Sequence, residues 1–98
     1  MEYKVSDLRT GMNRVDIEGV VTDLSEPRVV NLRRGGTARV MDCTFQDDTG
    51  SITLTLWEEN IDKVKEGSKI RVENGYVSSF RGEPRLNVGR YGRLKVLE

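Results

Sequence analysis

Histidine is absent from the 98 residues, and cysteine occurs once. The first absence removes the commonest general base and metal ligand near neutral pH. The second leaves no pair for a disulfide, which fits a reducing compartment, and leaves no cysteine–histidine cluster for zinc. No apolar run approaches the roughly 20 residues of a membrane span. The opening MEYKVSDLRT carries no apolar stretch of the kind that directs secretion. Neither a P-loop nor a dinucleotide-binding glycine fingerprint is present. The expectation is a non-enzymatic, cytoplasmic protein with no catalytic residues, no cofactor, no metal and no membrane partner.

Charge of one sign is also missing: sixteen basic residues balance sixteen acidic ones. Distribution matters more than the sum. Residues 28–39 contain Arg28, Arg33, Arg34 and Arg39 and no acid. Residues 81–95 contain Arg81, Arg85, Arg90, Arg93 and Lys95 against Glu83 alone. Arginine in place of lysine favours bidentate phosphate contacts and stacking over plain solubility. A solvated charged face is the simpler reading of either segment by itself.

What is present is a period-two pattern punctuated by glycine and by the two prolines. In residues 1–13, Ser6 would cap a single turn that Gly11 ends. A first strand is expected over 14–24, where Gly19 marks a bulge or a sharp bend. Ser25-Glu26-Pro27 breaks it, 28–32 is extended again, and RRGGT forms a hairpin tip. Strands follow at 37–46, with Met41, Cys43 and Phe45 on one face, and at 51–57, joined by the tight turn Asp47-Asp48-Thr49-Gly50. Core packing, not nucleophilic chemistry, explains Cys43. Ile61 and Val64 mark a short helix that Gly67 would end. A fourth strand spans 69–80 and a fifth 85–89, separated by Arg81-Gly82-Glu83-Pro84, and the tail LKVLE is extended. The fold class is therefore all-β: a single domain over residues 1–98, a five-stranded OB-fold barrel with a short helix between strands three and four. An SH3-like roll is the alternative, which the helix position disfavours.

DDTGSITLTLWEEN poses the functional question. Ile52, Leu54 and Leu56 share one face, whereas Trp57, the single tryptophan, falls with Ser51, Thr53 and Thr55 on the polar one. In the fourth strand, Ile70 and Val72 point inward, and unbroken parity would bury Tyr76 and Phe80 and expose Val77. A one-residue bulge at Asn74-Gly75 would reverse that parity. Trp57, Tyr76 and Phe80 would then form one exposed aromatic platform, with Tyr76 and Phe80 about 13 Å apart. Each could stack one base of an extended strand. Without the bulge, Tyr76 and Phe80 are core residues and Trp57 covers a core edge. In an OB arrangement Arg28 to Arg39 would form the loop joining strands one and two and Arg81 to Arg85 the loop joining strands four and five, and both loops border this face.

The stretches KVSDLRTGMNRVDIEGVV, DDTGSITLTLWEE and KEGSKIRVENGYVSSFRGEPRLNVGRYG together resemble archaeal single-stranded-DNA-binding proteins and archaeal relatives of replication protein A. From the D-x-T-G turn onward they also resemble single-OB eukaryotic homologues. The resemblance implies binding of single-stranded DNA by stacking on Trp57, Tyr76 and Phe80. Basic contacts are implied from Arg28, Arg33, Arg34 and Arg39, with Arg33 and Arg34 on a mobile hairpin. Arg81 and Arg85 complete the expected nucleic-acid-binding set. Some relatives carry a further aromatic where Asn87 stands. A monomer is expected, associated with the nucleoid and acting in replication, recombination or repair, with replication or repair proteins as further partners. An RNA-binding OB module and an OB protein-interaction subunit stay open as alternatives.

Overall fold

The computed structural model describes residues 2–89 and 91–98; Arg90 lies outside the described residues. Seven strands form the fold: β1 (Val15–Thr22), β2 (Arg28–Asn31), β3 (Thr37–Asp47), β4 (Gly50–Trp57), β5 (Lys69–Phe80), β6 (Glu83–Asn87) and β7 (Arg93–Val96). Five of them close into a ring in the order β1-β3-β4-β6-β5, with β5 pairing back onto β1. β2 pairs with the first part of β3, and β7 pairs with β5, so both lie off the ring. This is the OB fold expected from the sequence, with two added short strands.

The ring closes around alternating apolar side chains. Phe45, Ile17, Leu54, Leu56, Ile70 and Leu86 are fully buried. Cys43 is buried among them, and burial pushes its thiol up to about 12, which makes it inert at neutral pH. Gly19 marks the corner of the ring, where β1 passes from pairing with β5 to pairing with β3. A Cβ there would lie 2.6 Å from the Gln46 carbonyl oxygen and 2.7 Å from the Phe45 ring. The glycine thus serves the bend; the β1 register shift falls earlier, between Val15 and Ile17.

The N-terminal segment plugs one end of the ring. A 3-10 turn, Val5–Asp7, buries Val5, and Leu8 is buried just after it. Ser6 is not its cap, contrary to expectation: Lys4 holds that position, and Ser6 donates its N–H to Thr49 Oγ1 at 3.0 Å. The DDTG turn secures this plug. Asp47 accepts from Thr49 N–H at 2.7 Å and from Val5 N–H at 2.9 Å, while Lys4 pairs with Asp48.

The helix between β4 and β5 is a 3-10 segment, Glu58–Lys63, that buries Ile61. It ends before Val64, whose backbone is extended, so Gly67 does not terminate it. Gly67 instead occupies a separate turn with φ of 86°. The β5–β6 connection is also tighter than the sequence pattern implied. Only Arg81 and Gly82 form it, with φ of 52° and 82°, a two-residue turn whose twist matches the hairpin.

Candidate nucleic-acid interface

The parity reversal in β5 positions the site. Val15 of β1 pairs with Gly75, but Ile17 pairs with Val72, so β5 carries one extra residue in that interval. Asn74 absorbs it with φ of 56°, a conformation asparagine tolerates better than most residues. Its N–H donates to Asp16 Oδ1 at 2.9 Å, and this hydrogen bond holds the Asp16 carboxyl below its ordinary range. Gly75 is the next residue because a Cβ would meet Val72 at 2.9 Å and the Asn87 carbonyl oxygen at 3.0 Å. Beyond the bulge Val77 is 3% exposed, while Tyr76 and Phe80 are 40% and 47% exposed.

Strand register lays out the outer face row by row. Asp42, Thr55, Asn87 and Tyr76 follow one another across β3, β4, β6 and β5. Thr44, Thr53, Arg85 and Ser78 form the next row, and Phe80 sits opposite Glu83 in the row beyond. On the other side of the first row, Trp57 pairs with Val40. Trp57, Tyr76 and Phe80 therefore share one face of a continuous four-strand surface. Trp57 and Tyr76 line a groove of about 720 Å³ together with Leu32, Arg34, Lys63 and Arg93. The Tyr76 ring lies against Gly89, where a Cβ would approach it to 2.8 Å.

The six arginines named from the sequence take different places. Arg85 lies 4.3 Å above the Phe80 ring and Arg81 lies 5.2 Å from it, so two guanidinium groups frame one aromatic surface. Arg85 also pairs with Asp42 at 3.3 Å, as does Arg28 from β2. Asp42 further accepts from the Thr55 hydroxyl at 3.1 Å, so one carboxylate organises two cations in the middle of the face. Arg34 reaches the groove, and Arg33 sits exposed on the hairpin; neither has a side-chain partner among the described residues. Arg39 is not brought to the face. It lies out of phase with Ala38 and Val40 and pairs with Asp62 at 2.8 Å beside the 3-10 helix. That hydrogen bond raises the guanidinium and lowers the Asp62 carboxyl.

The sequence reading missed Asp42 and Tyr91. Asp42 carried a local signal, since it falls between Met41 and Cys43 in the outward phase of β3. Asn87 is buried and donates to the Ser78 hydroxyl at 2.9 Å, so it tightens the sheet beneath the aromatics. Among the described residues no group of acids and cysteines is arranged to hold a metal ion, and no helix is long and apolar enough to cross a membrane.

A closed five-strand ring in the order β1-β3-β4-β6-β5, with a short helix between β4 and β5, defines an OB-fold domain. The chain belongs to the family described as "Single-stranded DNA binding protein Ssb-like, OB fold", whose pattern matches residues 11–96. It is similar to the single-stranded DNA binding protein Ssb of Saccharolobus solfataricus, 33% identical over all of this chain and 64% of that protein. It is also similar to replication factor A of Methanothermobacter thermautotrophicus, 33% identical over 94% of this chain but 12% of that protein. The chain thus spans less than two thirds of the length of either relative. The second OB-fold domain of replication protein A from Methanococcus maripaludis superposes with a TM-score of 0.84. It is 28% identical, over 100% of this chain and 96% of that domain.

Proposed function

We propose that this domain binds single-stranded DNA with little sequence preference and does so without catalysing a reaction. One observation carries the reading: the extra residue at Asn74 turns Tyr76 and Phe80 onto the open face that already holds Trp57. Three aromatics on one face offer stacking to any base. Arg28, Arg81 and Arg85 lie beside Phe80 and Asp42, where they meet phosphates, and Arg33 and Arg34 reach the strand from the hairpin. Arg39 contributes least, because Asp62 already holds it. The names of the similar proteins favour DNA over RNA and a role in replication. The same binding would serve recombination or repair, in the cytoplasm at the nucleoid and alongside other proteins of those processes. The domain acts as a monomer.

A protein-interaction role is the second reading. It is favoured by the pairing of Arg28, Arg39 and Arg85 with carboxylates, which leaves less free positive charge than a strand-binding surface commonly shows.

Titration with oligo-dT, oligo-rU and duplex DNA, followed through Trp57 fluorescence, separates the readings. Stacking predicts quenching that is strongest with oligo-dT, and a salt slope of about 0.7 per phosphate neutralised. Unchanged fluorescence and mobility with every oligonucleotide would defeat the nucleic-acid reading and leave the protein interface.

A further inference from the structure

The platform groove does not end at Tyr76. A second groove of about 350 Å³ adjoins it, and the two share Tyr76, Gly89 and Gly92. Its other walls are Asn13, Arg14, Asn74 and Tyr91, with no carboxylate among the lining residues. Tyr91 is 80% exposed, the most exposed large hydrophobic side chain of the described residues. Arg14 has no side-chain partner among the described residues, in contrast to Arg71 or Arg39, which are held by acids.

The loop that carries Tyr91 is pinned. Asn74, the bulge residue, donates its side-chain N–H to the Tyr91 carbonyl oxygen at 3.2 Å, and Gly92 N–H donates to the Gly89 carbonyl at 3.0 Å. Gly92 also passes so close to the bulge that a Cβ would sit 3.1 Å from the Asn74 carbonyl oxygen. Glycines at both positions let the loop backbone lie low beside Tyr76. Trp57 lines the first groove, Tyr91 the second, and Tyr76 both.

We infer that this second groove is an additional nucleotide subsite: Tyr91 stacks a base beyond the one on Tyr76, and Arg14 takes its phosphate. The inference rests on the single-strand reading above and extends it along one direction of the strand. The surface chemistry fits that occupant, since an exposed ring next to an unpaired guanidinium is what a stacked base and its phosphate require.

Affinity measured against oligo-dT of increasing length tests it. The parent should keep gaining affinity for one or two nucleotides after the Tyr91→Ala variant has levelled off. At saturating length Tyr91→Ala should bind about fivefold or more weakly, the low end for one stacked base, and Tyr91→Phe should match the parent. Arg14→Gln should lower the salt slope by about 0.7. Identical length dependence in parent and Tyr91→Ala overturns this subsite while leaving the platform intact. A parent that binds no oligonucleotide overturns the platform and the subsite together.

Discussion

The two halves of β5 behave as two different strands. Before the bulge, Arg71 and Glu73 face outward into a web of charge: Arg71 pairs with Glu2, Glu18 and Glu73, and Lys95 pairs with Glu73. Glu2 and then Glu73 raise the Arg71 guanidinium, and Arg71 in turn lowers the Glu73 carboxyl. After the bulge, the outward positions are Tyr76, Ser78 and Phe80, and the cations there rest on an aromatic ring. The first half satisfies its charges internally. The second leaves its rings exposed, and Arg85 is shared between the Phe80 ring and Asp42. A net charge of zero thus hides an uneven distribution: Glu2, Glu18 and Glu73 gather around Arg71, whereas Asp42 is shared between Arg28 and Arg85 on the aromatic face.

Adding one more residue after the bulge breaks this contrast most severely. Insertion of an alanine between Gly75 and Tyr76 would reverse the parity of the second half, turning Val77 outward and Tyr76 and Phe80 inward. The expected result is loss of the cooperative folded state, read as a collapse of amide dispersion in NMR spectra and of the thermal transition. A native-like spectrum from this variant would mean that the parity is set elsewhere.

A paired comparison comes next in size. Phe80→Ala should weaken oligo-dT binding about fivefold to a hundredfold, the range for one stacked base, with little change in thermal midpoint. Arg71→Gln should do the reverse, lowering the midpoint while leaving affinity within about twofold. Binding titrations and thermal melts on both variants check the two halves against each other.

Acid should act on the bulge through Asp16. Its carboxyl is depressed in the folded state by the Asn74 N–H, below the ordinary aspartate value of 3.8. Its stabilising contribution is therefore complete above that value and is lost as pH falls through the lower folded one. Asp16→Asn should flatten this acid limb while costing stability at pH 7, as denaturant melts between about pH 5 and pH 2 would show.

The smallest effects concern the hairpin. Arg34→Gln should reduce the salt slope by about 0.7, and Arg39→Gln by less, because Asp62 already neutralises Arg39. Equal slopes for the two variants would remove the distinction drawn between them.

Much of this arrangement is legible in local pattern. Alternation identifies the inward residues of β3 and β4, and the break at Asn74-Gly75 between Val72 and Val77 betrays the bulge. Contacts between distant segments leave weaker traces. Nothing near Asp42 announces Arg85, 43 positions away, because their meeting depends on the β3–β4–β6 register. The Ser6 cap failed for a related reason: the N-terminal segment is organised by Asp47 and Thr49 and not by its own side chains. Tyr91 went unnoticed because a loop tyrosine has no periodicity to mark it, and only the folded chain places it in a groove with Tyr76.

Ring closure has one more effect. Among the described residues each of β1, β3, β4, β5 and β6 pairs with at least two other strands, whereas β2 and β7, four residues each, pair with one. The first carries Arg28 and the second Arg93 and Lys95. Edges this short and this cationic are poor templates for strand addition, which protects the domain from sheet-to-sheet aggregation when it is concentrated.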